Sequence, residues 1–288
     1  MGVDGFRLDV ADELPDDFIA ALRARIKGIK PDALLIGEVW EDASNKISYS
    51  ERRRYFTDGE LDSVMNYPFR NAIIDLVTGN DDGKLFCETV MTIAENYPQQ
   101  VLLCLMNMLS THDTVRILSL LSPEDMPDEK SLRAGYRMSQ DSREEAVKRL
   151  LTAVFLQFVL PGMPCVFYGD EIGTEGFEDP FCRSYFRWDD VDDNPIREFY
   201  LAVARMRNAS ETLKHGTVYV TCSKERDVII ERRFLGKVCR AYVNLGEPKK
   251  YALDGKIIFE KGATHEDSHA VVVDKYGFVL EETEDNIH

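Results

Sequence analysis

Five short apolar runs alternate with longer stretches of helical period through most of the chain. The runs lie near 4–9, 33–38, 61–66, 101–109 and 164–168, and each reads as a buried strand. After the first run, Pro15-Asp16-Asp17 opens a helix. Its apolar positions Phe18, Ile19, Leu22, Ile26 and Ile29 follow the helical spacing, and Gly28 near Pro31 marks its stop. Arg70 to Val77 and Leu85 to Glu95 give two more helices. Ser142-Arg143-Glu144-Glu145 reads as a capping box opening a helix that runs through Val159 and ends at Pro161-Gly162. Asn194 and Pro195 cap a final helix through Arg207. Continuous apolar strands alternating with helices predict an α/β fold, a parallel sheet covered on its outer face.

From about residue 213 the pattern changes. Short alternating runs at 217–222, 227–234, 238–244, 256–259, 270–273 and 277–280, with glycines between them, predict an antiparallel β-sandwich domain. The expected division is therefore 1–212 for the α/β part and 213–288 for the all-β part.

The chain has 288 residues with 44% hydrophobic side chains, enough to bury a substantial core. Net charge is −16, which argues against nucleic acid or an anionic membrane as partner, since both reward clustered Lys and Arg. No run reaches the roughly 18 consecutive apolar residues of a membrane span. Six widely spaced cysteines include no C-x-x-C pair, and Cys104 and Cys165 fall inside apolar, strand-like runs as free thiols do. A reducing, cytoplasmic location follows as the simpler expectation.

The candidate chemistry lies where strands stop. Asp9 ends Gly5-Phe6-Arg7-Leu8-Asp9, Glu38 ends Leu34-Leu35-Ile36-Gly37-Glu38, and Asp113 follows Leu109-Ser110-Thr111-His112. Alone, an acid after an apolar strand is often a helix cap or a solvated loop residue. Three together on the C-terminal rim of a parallel sheet can flank a glycosidic bond, whose cleavage needs two carboxyl groups. Arg7, two residues before Asp9, shares its face of the strand and can hold that acid ionised. His112 stands out from the other histidines only by preceding Asp113. Trp40 offers either a stacking face for a sugar or packing beneath a loop.

These segments resemble the α-amylase family of glycoside hydrolases (family 13), with the neopullulanase, cyclomaltodextrinase and maltogenic amylase group the nearest in motif. Gly5 to Asp9 looks like the nucleophile segment, Ile36-Gly37-Glu38-Val39-Trp40 like the acid/base segment, and Ser110-Thr111-His112-Asp113 like the third-carboxylate segment. The resemblance extends through Ser63 to Phe69, Pro164 to Gly173 and Asp179-Pro180-Phe181-Cys182-Arg183. It implies a retaining hydrolase of α-1,4-glucosidic bonds in maltodextrins, cyclodextrins or pullulan. Asp9 would be the nucleophile, Glu38 the acid and then base, and Asp113 with His112 would grip sugar hydroxyls, with Arg7 positioning Asp9. Trp40 would meet the sugar on the leaving-group side. Transglycosylation and α-1,6 cleavage use the same acids, and a non-catalytic glucan-binding or assembly module is the alternative from another class. Such a module would be expected to have lost one of the three acids, and all are present.

Two departures stand out. The family group typically has Val-Ala-Asn-Glu after the nucleophile, whereas this chain reads Val10-Ala11-Asp12-Glu13. The strand resembling the family's fourth also opens the chain, behind a Met1-Gly2 that reads as an introduced or alternative start. The resemblance thus implies a partial (β/α)8 TIM barrel, strands 4 to 8 only, followed by the β-domain. No cofactor or metal is expected here, because the family's frequent calcium site belongs mainly to the absent front part. Open barrel edges imply a homo-oligomer, or weak activity for the chain on its own.

Overall fold

The computed structural model describes residues 2–285 apart from 58, 126 and 134. All five expected strands form, shorter than the apolar runs: β1 (Gly5–Leu8), β2 (Leu34–Gly37), β3 (Ser63–Val64), β4 (Met106–Met108) and β5 (Met163–Cys165). They lie side by side in chain order and parallel. Gly5 pairs with Leu34, Ile36 with Ser63 and Met106 with Met163, while a single Met65–Met106 bridge joins β3 to β4. Helices α1 (Asp16–Ile29), α2 (Tyr67–Thr78), α3 (Lys84–Asn96), α4 (Gln99–Leu103), α5 (Gln140–Val159) and α6 (Pro195–Ala209) connect or follow them.

Four expectations for the parallel part need correction. The run 101–109 is not one strand: Gln99–Leu103 is helical after Pro98, and only Met106–Met108 is extended. An apolar run of that length carries no period to separate the two states. Cys104 accordingly caps a helix rather than sitting in a strand, and all six cysteines are free. The capping residue of α5 is Ser139, whose hydroxyl accepts the Ser142 N–H at 3.3 Å, one turn before the expected start. Finally, β1 is not a buried strand. Phe6 is 51% exposed, because β1 has a ladder partner on one side only among the described residues.

Strands this short form few ladder bonds, and buried amides reinforce them. Asn66 accepts from Phe69 N–H at 3.1 Å and donates to the Asn107 side-chain oxygen at 2.7 Å. Asn107 donates to the Pro161 carbonyl at 2.8 Å, and Gln157 of α5 donates to the carbonyls of Asn107 (2.9 Å) and Cys165 (3.0 Å). One line of amides thus ties β3, β4 and β5 behind the rim. Gly162 is required there: its φ is +113°, and a Cβ would lie 2.8 Å from both the Asn107 amide nitrogen and the Leu105 carbonyl.

After a short helix α7 (Glu211–His215), six antiparallel strands follow: β6 (Thr217–Ser223), β7 (Asp227–Phe234), β8 (Lys237–Asn244), β9 (Lys249–Ala252), β10 (Lys256–Asp267) and β11 (Ala270–Glu284). They belong to one sheet rather than the two of the expected sandwich. The reason is β11. The runs 270–273 and 277–280 are a single strand that turns at Tyr276 (φ +63°), pairing with β9 before the turn, β8 after it and β10 along its other edge. The turn sets Tyr251 of β9 against Tyr242 of β8, ring centres 5.0 Å apart, and closes a small second core with Val271, Val273 and Val279.

The other face of the sheet shares the main core. Phe278 stacks on Phe155 of α5 at 4.0 Å, and Thr152 donates to the Tyr276 carbonyl at 2.8 Å. Among the described residues no helix is long and apolar enough to cross a membrane. Phe278→Ala removes a fully buried ring from this shared core. It should lower unfolding free energy by about 3–5 kcal/mol, measured by urea denaturation.

Candidate active site

Arg7, Asp9 and Glu38 meet at the ends of β1 and β2. Arg7 Nη2 lies 2.9 Å from Glu38 Oε1, and Nη1 pairs with Asp9 Oδ1. Arg7 Nε points at the Met65 sulfur, 3.4 Å away on β3. The alternation of the strand explains why Arg7 and Asp9 share a face.

Glu38 is 7% exposed and held by more than Arg7. Its second oxygen accepts the Val10 N–H at 2.8 Å, its main-chain N–H donates to Leu8 (2.9 Å) and its carbonyl accepts from Ala11 (3.2 Å). Val10 reaches this position in the left-handed region (φ 47°, ψ 50°). For a β-branched residue that conformation costs about 1–3 kcal/mol, which the surrounding bonds must offset. At Gly37, before the acid, a Cβ would meet Leu61 Cδ1 at 2.6 Å, so a side chain there would force that buried leucine to shift.

The third acid is built differently. Asp113 Oδ2 lies 3.0 Å from His112 Nε2, and its N–H donates to the Thr111 hydroxyl at 3.2 Å. Arg7 and His112 line one hollow of about 290 Å³ floored by Met65, Met106, Met108 and Cys165, so both groups face the same inner surface. Trp40 stacks on Tyr67 with ring centres 4.2 Å apart and 10° between planes, yet remains 46% exposed. One face of the indole therefore packs on the rim while the residue stays open to solvent.

Two residues outside the sequence-based set join the site. Arg183 donates through Nε to the His112 carbonyl (3.1 Å) and places Nη2 3.3 Å from Asp113. Tyr67 is buried beside the acids; burial first, then the Glu38 and Asp113 carboxylates, push its phenol up. Their signal was position: Tyr67 directly follows the third strand's Asn66, and Arg183 closes the Asp179–Arg183 segment. The additional acid of the departure, Asp12, is absorbed by the wall, accepting from the Tyr55 hydroxyl at 2.7 Å and pairing with Lys46 at 3.0 Å.

Across residues 1–215 the sequence matches the model of the alpha amylase catalytic domain. The protein belongs to the α-amylase family. It is 33% identical over 290 residues to an amylopullulanase of Thermoanaerobacter thermohydrosulfuricus, covering 93% of this chain and 18% of that protein. A cyclomaltodextrinase of a Bacillus species is 33% identical over 226 residues, 77% of this chain and 35% of its own. Among solved structures, a cyclomaltodextrinase superposes with TM-score 0.74 at 28% identity, covering 98% of this chain and 46% of that one. The α-amylase-family chain thus spans a fifth to a third of these curated relatives' length.

Behind the rim, Arg116 organises the loop carrying Arg183. It is fully buried, pairs with Asp170 at 3.1 Å, donates to the Cys182 carbonyl at 2.8 Å and lies over the Phe167 ring at 4.2 Å. Cys182 in turn donates its thiol to the His112 carbonyl at 3.0 Å. Burial, outweighing the Arg116 charge, pushes the Asp170 carboxyl up from 3.8 to about 6. The folded state therefore holds this proton more tightly than the unfolded chain. The resulting contribution to stability is full below 3.8 and is lost as pH rises through about 6. Asp170→Asn should flatten that decline while lowering stability overall, as read from urea midpoints across the same pH range.

Proposed function

We propose that the protein is part of a retaining glycoside hydrolase cleaving α-1,4-glucosidic bonds in maltodextrins, cyclodextrins or pullulan. The observation that carries this reading is the single Arg7 guanidinium contacting both Asp9 and Glu38. Retaining pairs stand about 5–5.5 Å apart, whereas inverting pairs leave about 6.5–9.5 Å for a water. Two carboxylates within reach of one planar fork suit the closer arrangement.

In this scheme Asp9, whose side chain is 71% exposed, attacks the anomeric carbon. The sheltered Glu38 protonates the leaving oxygen, then takes a proton from the water that releases the sugar. Asp113, oriented by His112 and Arg183, grips sugar hydroxyls, and Trp40 stacks on a neighbouring ring. The reaction is carried by carboxyl groups and water. The amylopullulanase, cyclomaltodextrinase and neopullulanase names of the relatives support an α-glucan as substrate. Sugar in place of water in the second step gives transglycosylation, and α-1,6 bonds call on the same acids.

The reading includes the five parallel strands as the last five of an eight-stranded barrel. β1 and β5 each have one ladder neighbour among the described residues, so the substrate would be walled on one side. Further strands or a second copy would cover those edges. Two outcomes are expected of this chain by itself: negligible sugar release from maltodextrin, and sedimentation as a species larger than the monomer. Fast turnover by a monomer would overturn the need for the other wall. In the longest form that expresses, Asp9→Asn and Glu38→Gln should each cut cyclodextrin hydrolysis about 1,000-fold or more. The first product seen by NMR should be the α-anomer; a β-anomer would exclude retention.

A further inference from the structure

Beside the catalytic rim, the loop after β5 and the segment before α5 line a cavity of about 280 Å³ that shares Arg183 with the proposed site. Four arginines line it, Arg133, Arg137, Arg183 and Arg187, in a protein of net charge −16. Among the described residues the wall contains one carboxylate, Glu175, and Arg143 holds it at 2.7 Å. Three of the four guanidinium groups are braced by acids outside the wall. Glu178 holds Arg133, Asp113 and Asp179 hold Arg183, and Asp190 holds Arg187 at 2.6 Å. Each guanidinium carries five N–H donors, so one carboxylate does not saturate it. Arg137 meets the carbonyl of its neighbour Tyr136 at 2.6 Å through one nitrogen.

Among the described residues the Thr174 hydroxyl and Arg187 Nε lack a hydrogen-bond partner, but both are shielded from solvent, so neither is open to a ligand in the cavity. What the lining does offer is four guanidinium forks against one carboxylate that is already paired. A neutral sugar hydroxyl leaves that cationic lining unmatched. A tetrahedral oxyanion answers it, since its oxygens accept paired N–H bonds from guanidinium.

We propose that this cavity binds a phosphate group, free or as an ester on an α-glucan. Arg183 links it to the rim, because its Nη2 lies 3.3 Å from Asp113. A phosphorylated sugar seated here would share an oligosaccharide with a ring gripped by Asp113. That ester form rests on the glucan reading above; the anion site itself does not.

Calorimetry with inorganic phosphate, maltose and maltose 6-phosphate tests the site on the wild type, on Arg137→Gln and on the Arg137→Gln/Arg187→Gln pair. The phosphate-bearing ligands should bind, and the double variant should weaken them about tenfold or more. Maltose affinity should stay unchanged. The single variant should show a smaller loss in the same direction, which keeps the test valid if the pair folds poorly. Tighter binding of maltose 6-phosphate than of inorganic phosphate identifies the ester as the ligand; equal binding identifies free phosphate. No heat from either at about 10 mM, or affinities untouched in both variants, would overturn the site. Phosphate binding without any maltose binding would support the anion site independently of the glucan reading.

Discussion

Buried guanidinium groups bonded to main-chain carbonyls hold this molecule together. The five parallel strands are two to four residues long, so much of the backbone near their ends has no ladder partner. Arg70 donates to the Leu109 carbonyl at 2.8 Å, Arg116 to Cys182 at 2.8 Å, Arg207 to Leu160 at 3.2 Å, and Arg232 to Val159 at 2.6 Å. The Leu109, Val159 and Leu160 carbonyls lie at the end of a strand or helix, and the Cys182 carbonyl lies in the loop after β5. Burial draws Arg207 down to about 10 and Arg232 to about 9, which leaves both charged at neutral pH.

The rim inherits this framework. Arg116 fixes the loop after β5, that loop fixes Arg183 and Cys182, and those two hold the His112 carbonyl beside Asp113. On the opposite side Glu38 accepts from the main chain of Val10, just past β1 and next to Asp9, so the two leading acids cannot shift independently. The left-handed backbone at Val10 is where this tight coupling is offset against local strain.

Much of this was legible in the sequence. Runs bounded by turn residues located all five parallel strands, and the strand 227–234 has the expected ends. Asp9, Glu38 and Arg7 come together because period-two alternation and short loops after parallel strands leave little freedom. What stayed hidden depended on distant contacts. No local pattern distinguishes α4 from a strand, and β9 shows too few apolar positions to register. The single sheet in place of a sandwich follows from one bend at Tyr276, a property of two strands pairing at once. Arg183 meets Asp113 across 70 residues, a proximity that spacing alone does not encode.

The aromatic stack between α5 and the sheet has a consequence for how the chain can be divided. Phe155, Phe199, Phe259 and Phe278 interlock across what the sequence suggests is a domain boundary. The two parts therefore share one buried core. A cut or a swap near residue 212 would expose half of one aromatic cluster on each piece, so the β-sheet is a structural buttress that travels with its helix. Recombination that keeps the protein folded would have to exchange α5, α6 and the sheet as a unit.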